Sequence, residues 1–195
     1  DYGIPNLAVP FYVHSTSDGG GTWKSYAVPL PPEAEIEKGW DGGSYLGGVG
    51  NCNIVSPVYS STSIWKAALL CEEQGWMYTS ATQGKTWIIS PLAPGGEVME
   101  IQFIDPTIGW LFDRDPLDRS QGLLYQTTDG GQSWTLLKST GWTDIQLNFL
   151  DAQTGWAVVS TCADEACYWY EYVQALVKTL DGGRTWQLVQ PDLAR

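Results

Sequence analysis

The sequence predicts an all-β chain made of short antiparallel strands, and three observations carry that expectation. Glycine (22) and proline (11) punctuate runs rich in Val, Ile, Leu, Thr, Trp and Tyr. No stretch shows the apolar spacing of an amphipathic helix. One short pattern returns along the whole length. Hydrophobic residues make up 43% of the 195 and aromatics 13%, far more apolar surface than a disordered chain carries, so the chain builds a core.

The pattern reads T-x-D-G-G-x-[ST]-W. Full copies run from Thr16 to Trp23, Thr127 to Trp134 and Thr179 to Trp186, with Asp18, Asp129 and Asp181 at the acidic place. A degenerate copy runs from Ser80 to Trp87, with Thr82 where the others carry Asp. Successive tryptophans are 64, 47 and 52 residues apart, close to the size of a four-stranded propeller blade. Asp and Thr side chains reach nearby backbone N–H groups while glycine accepts positive φ, so the pattern fastens a hairpin turn. The tryptophan is expected to bury its ring against neighbouring strands at equivalent places in each unit. An enzyme has little use for the same acid three times over, so Asp18, Asp129 and Asp181 are read as fold residues. A second phrase precedes two of the boxes, Phe103 to Trp110 and Phe149 to Trp156, each an apolar strand, a polar turn and another apolar strand.

These boxes resemble the Asp-box, or bacterial neuraminidase repeat, families: sialidases, xyloglucan-cleaving two-propeller glycosidases, sortilin-type receptors and the photosystem II stability and assembly factor group. The likeness covers nearly the whole chain. It implies a β-propeller with the box at the turn between the third and fourth strands of each blade, and it says little about function because such folds host unrelated work.

The expected architecture is a partial β-propeller of about three and a half blades in one segment, 1–195: a half blade over 1–30 and blades over about 40–92, 93–138 and 139–190. The last two units predict strands near 98–104, 110–113, 123–128 and 133–138, then 143–150, 156–161, 172–179 and 185–190. The second predicts 53–57, 63–71, 75–81 and 86–90, with a turn near Ser60 to Thr62 that sets Cys52 opposite Cys71. The first has only 11–15 and 22–28. Propellers close with about 4 to 8 blades, so the remaining blades of a longer protein are expected to complete the ring; a second chain, or a small ring with one thin blade, are the alternatives.

Composition bounds the partners. The formal charge is −12, from 10 Lys plus Arg against 22 Asp plus Glu, which repels nucleic-acid backbones and anionic lipid. No apolar run approaches the roughly 20 residues of a membrane span, and residues 1–10 have no signal-like start, so the sequence reads as a mature or excised segment. The four cysteines, Cys52, Cys71, Cys162 and Cys167, include no C-x-x-C pair and the only histidine is His14, so no zinc site, metal or cofactor is expected. Disulfides Cys52–Cys71 and Cys162–Cys167 follow from the strand alignment and imply an extracytoplasmic compartment; four buried reduced thiols are the alternative.

The long connections, 31–49, 113–121 and 161–171, are expected on the face opposite the boxes. They bring Trp40, Asp113, Arg114, Asp115, Tyr168, Trp169 and Tyr170 to one rim, where acids and rings suit a protein or carbohydrate ligand. A solvated acidic face is the plainer reading. Of the arginines, Arg184 lies in a box and Arg195 ends the sequence, so a sialidase triad does not assemble here. The functional expectation is a non-catalytic extracytoplasmic module presenting a binding surface; the alternative is a fragment of a glycoside hydrolase with paired carboxylates.

Overall fold

The computed structural model describes residues 11–31, 35–38, 44–47, 52–60, 63–71, 75–92, 97–115, 117–118, 120–162 and 172–190, with the backbone alone at 11, 35–38, 44–47, 52–60 and 71. These residues form five antiparallel sheets and no helix. β1 (Phe11–Ser15) pairs with β2 (Lys24–Val28), and β3 (Glu35–Lys38) with β4 (Ser44–Gly47). Three four-stranded sheets follow: β5 (Cys52–Ser60), β6 (Trp65–Cys71), β7 (Gly75–Ser80) and β8 (Ile88–Pro91); β9 (Glu97–Phe103), β10 (Gly109–Arg114), β11 (Gly122–Thr127) and β12 (Thr135–Thr140); β13 (Asp144–Phe149), β14 (Gly155–Cys162), β15 (Tyr172–Thr179) and β16 (Gln187–Leu188). In each, strands neighbour in chain order, the meander of a propeller blade. The fold is all-β, a partial β-propeller. Contacts group it into two compact units, Asp1–Pro91 and Leu92–Arg195.

The boxes explain why the third strand of a blade turns into the fourth. In the last one, Thr179 Oγ1 donates to Asp181 Oδ1 at 2.9 Å and accepts the Gly183 N–H at 2.9 Å. Asp181 then accepts from both the N–H and the hydroxyl of Thr185, at 2.9 and 2.6 Å. Gly182 and Gly183 have φ of 75° and 98°, conformations that a side chain would strain. The degenerate copy keeps the scheme with hydroxyls alone: Gly84 N–H donates to Ser80 Oγ at 2.8 Å and Thr86 N–H to Thr82 Oγ1 at 2.9 Å. Its first glycine is replaced by Gln83, held at φ 55°. Thr179 is 1% exposed. Thr179→Val, equal in shape, strands a buried N–H and is expected to cost about 1–3 kcal/mol in urea unfolding.

Within the second unit the two blades pack face to face. Trp110, Phe112 and Leu124 from one meet Ile145, Leu147, Phe149, Ala157, Val159 and Val177 from the other. The inner strands β9 and β13 lie side by side, as blade-leading strands do around a propeller axis. Gln102 stitches them, its amide accepting the Phe149 N–H at 2.8 Å and donating to the Phe149 carbonyl at 3.4 Å. In the first unit, Val13 and Val28 pack with Trp65, Ala67, Leu69, Trp76 and Tyr78 into a separate core.

Four expectations need correction. The stretch 31–49, expected as a loop, contains the β3–β4 hairpin, whose register sets Ile36 opposite Leu46 and Glu37 opposite Tyr45; the β-formers outweigh the charges around them. β5 runs longer than 53–57, because a register shift between Val55 and Tyr59 absorbs Pro57 where a regular ladder would reject it. The fourth strands start later than expected, since the box's Ser or Thr is still tied to its Asp: β16 is Gln187–Leu188 only. The box tryptophans are also less buried than expected. Trp87, Trp134 and Trp186 are half-buried and Trp23 is 61% exposed. Each stands at the entry to the outermost strand, where only one flank is covered, and Trp23 turns its Nε1 back to the Gly20 carbonyl at 3.1 Å.

Candidate functional site

At the end of the second unit opposite its boxes, β10 closes with Asp113 and Arg114. Alternation along β10 points them to opposite faces. Arg114 sits on the face that meets β13 to β16. Its Nη1 donates to Glu97 Oε2 at 3.1 Å, while Nε and Nη2 donate to the Thr143 carbonyl at 3.3 and 3.1 Å. The guanidinium is thus spent on joining two blades. Asp115 accepts the Leu117 N–H at 2.8 Å, and its own N–H donates to the Gln121 carbonyl at 3.1 Å, so it closes the local turn.

Asp113, expected on an exposed rim, is 2% exposed. A register shift between Phe112 and Asp113 pairs it with Val98 on one side and Leu123 on the other, so the strand carries it inward. Its Oδ1 has no hydrogen-bond partner among the described residues. Burial first, then the neighbouring charges of Asp115 and Glu97, pushes its carboxyl up to about 7. Glu100, which the sequence reading passed over, is pushed up to about 7 as well, by burial and then by Asp144. The one signal for it was a charge between Met99 and Ile101 in the middle of a strand-like run. Glu100 pairs with Phe112, and Asp113 follows Phe112, so the two carboxyls lie on opposite faces of one sheet and do not flank a common bond.

The pH dependence follows from these shifts. A carboxyl raised in the folded state leaves stability intact below its unfolded value, here 3.8 for Asp113, and removes it progressively as pH climbs to about 7. The box aspartates act in the other sense. Hydrogen bonds from Ser133 lower Asp129 and those from Thr185 lower Asp181, so their contribution is present above the ordinary carboxylate range and lost on acidification. Stability is therefore expected to peak near pH 4 to 5, an order-of-magnitude placement. Asp113→Asn should flatten the alkaline limb, raising stability at pH 8 by about 2 kcal/mol; the amide keeps a buried polar oxygen, which limits the gain. Urea unfolding of both forms between pH 4 and 8 measures it, and parallel limbs would refute the assignment.

The first unit contains a cleft of about 600 Å³ at its box end, between β1–β2 and β6, rather than opposite the boxes. Tyr26, Trp65 and Trp87 supply rings, Ser15, Thr16 and Thr22 supply hydroxyls, and Lys24 and Lys66 supply charges; no carboxylate residue lines it. Tyr26 meets Trp65 edge-on at 5.2 Å, and Trp87 Nε1 donates to the Ala27 carbonyl at 3.2 Å, so the rings are fixed. Sequence reasoning missed the cleft because it arises where two sheets approach. Trp40, Tyr168, Trp169 and Tyr170 lie outside the described residues, as does Cys167. Among the described residues no group of three or more His, Cys, Asp or Glu is arranged to hold a metal, and no helix is long and apolar enough to cross a membrane.

Comparison with known proteins gives limited company. No family model matches the chain and no curated protein does. A solved structure described as YCF48 bound to D1 peptide is similar over 91% of this chain and 74% of that one, with 15% identity and a TM-score of 0.38.

Proposed function

We propose that this chain is a non-catalytic, extracytoplasmic Asp-box propeller module that presents a binding surface for protein or glycan. The observation that carries the reading is the ring-walled cleft of the first unit, whose fixed aromatics, hydroxyls and two lysines suit stacking on and hydrogen bonding to a polar ligand such as a sugar. The fates of the other candidates support it. Asp18, Asp129 and Asp181 are consumed by their own turns, and Arg114 by the joint between blades. The register that sets Cys52 opposite Cys71, and the disulfide-bonded state of Cys162, support pairings Cys52–Cys71 and Cys162–Cys167 and an oxidising compartment. Closure of the ring by further blades or a second chain belongs to the same proposal.

One observation favours the alternative, a glycoside hydrolase fragment: two carboxyls poised near neutrality, Asp113 and Glu100. Their placement on opposite faces weighs against a shared reaction. Glycan and peptide arrays followed by titration calorimetry test the module reading. A ligand whose affinity falls about tenfold in Lys24→Glu or Trp169→Ala, with thermal stability unchanged, supports it and distinguishes the cleft from the rim. Turnover of a glycoside panel, abolished in Asp113→Asn or Glu100→Gln, overturns it.

A further inference from the structure

The three full boxes are alike in sequence and unlike in enclosure. Asp18, Asp129 and Asp181 are each followed by two glycines. An aspartate before a glycine is where a chain can rearrange on itself, because no side chain shields the glycine nitrogen. That nitrogen attacks the aspartate Cγ, water leaves, and a cyclic succinimide forms. Water then opens the ring at the backbone carbonyl, so that the chain runs on through the side-chain carbon as isoaspartate. Nothing is oxidised or reduced, and the water lost in the first step returns in the second. The attack requires a protonated carboxyl, since an oxide ion leaves poorly, and a glycine nitrogen free to approach Cγ.

Every box resists this reaction, but to different degrees. Thr22 holds the Asp18 carboxylate through its N–H at 2.8 Å and its hydroxyl at 2.7 Å, as Ser133 holds Asp129 and Thr185 holds Asp181. These bonds keep the carboxylates ionised and fixed. In the two later boxes the attacking nitrogen is tied down as well. Gly130 N–H donates to the Thr107 carbonyl and Gly182 N–H to the Gln153 carbonyl, both at 2.8 Å. Gly182 is buried, and a Cβ there would stand 2.7 Å from the Ala152 carbonyl oxygen. Gly19 N–H has no such acceptor among the described residues; the residue is exposed, and its Cβ position has nothing within 4 Å. The bond from the second glycine differs too. Gly131 N–H reaches Thr127 and Gly183 N–H reaches Thr179 inside the fold, whereas Gly20 N–H reaches Thr16 in solvent, each at 2.9 Å. Exposed hydrogen bonds open at lower cost than buried ones. We propose that Asp18–Gly19 is a modification site that isomerises to isoaspartate while the equivalent pairs at Asp129 and Asp181 stay intact, with the Thr22 hydroxyl setting its rate. The change lengthens the backbone and moves the carboxylate, so Thr16 and Thr22, which both line the cleft of the first unit, lose their partner.

Prolonged incubation of the full chain at mildly acidic pH, followed by peptide mapping with electron-transfer fragmentation, tests the proposal. Isoaspartate is expected at residue 18 at least about tenfold faster than at 129 or 181. In concentrated urea the three pairs should react at similar rates, because each is Asp-Gly-Gly, and the ranking then belongs to the fold. The map reads Asp41–Gly42 separately; that pair lies outside the described residues. Thr22→Val removes the hydroxyl and should raise the rate at residue 18 several-fold with 129 and 181 unchanged, whereas Thr22→Ser keeps the hydroxyl and the native rate. A loss of folding would raise all three sites together and is thereby told apart. Isoaspartate absent from residue 18, or formed as fast at 129 and 181 in the folded chain, overturns the proposal. So does a folded Thr22→Val chain that isomerises at the native rate.

Discussion

Gly122→Ala is expected to destabilise the chain by more than about 4 kcal/mol, the largest effect of any single methyl group here. A Cβ at Gly122 would stand 2.0 Å from Phe112 Cζ, 2.5 Å from Phe112 Cε2 and 2.6 Å from the Trp142 carbonyl oxygen. Neither neighbour can give way. Phe112 is 0% exposed within the close-packed core between the two blades, so its ring cannot move aside without displacing its neighbours. The Trp142 oxygen belongs to the backbone of the connection into β13. There the next residue, Thr143, bonds the Ser160 carbonyl through its N–H at 2.8 Å and accepts Arg114 through its own carbonyl. Displacing that connection breaks the joint between blades. Gly141 lies in the same connection with nothing within 4 Å of its Cβ position, so Gly141→Ala should stay within about 0.5 kcal/mol of the native chain. Equal midpoints in urea for the two variants would show that crowding at Gly122 is not what holds β11 against β10.

What could be read beforehand was local. The boxes were legible because the bonds that their Thr and Asp side chains make span four residues or fewer, from Thr16 to Gly20 or Asp18 to Thr22, so the turn chemistry sits inside one phrase. The meander followed from those turns. Burial was not legible to the same degree, because it depends on what covers a strand. Asp113 read as a loop acid beside Arg114, Asp115 and Pro116, yet it continues the inward row of Leu111, and only pairing with Val98 and Leu123 reveals that it is enclosed. The first box illustrates the same limit from the other side, with its motif intact and Trp23 61% exposed. The cleft of the first unit was invisible in principle, since its walls come from residues more than 40 positions apart, such as Tyr26 and Gln83.

Trp110→Ala is expected to cost about 3–5 kcal/mol. The ring is 0% exposed and lies parallel to Phe149, with centroids 3.6 Å apart and planes at 2°. Its Nε1 donates at 2.8 Å to the carbonyl of Gly182, in the box of the following blade. One side chain therefore anchors both the inner strand and the turn of its neighbour. Trp110→Phe keeps most of the apolar contact but leaves the Gly182 carbonyl without that donor, and should cost about 1–2 kcal/mol beyond the smaller ring's lost contact. Combining Trp110→Ala with Phe149→Ala should cost less than the two single changes added together, because each removes the other's stacking partner. Trp156 stands in the same register position one repeat later, half-buried with no following sheet described over it. Trp156→Ala should cost less than about 1 kcal/mol. If urea unfolding found the two tryptophans equally costly, their weight would come from the blade each belongs to, and the covering sheet would not be what makes Trp110 indispensable.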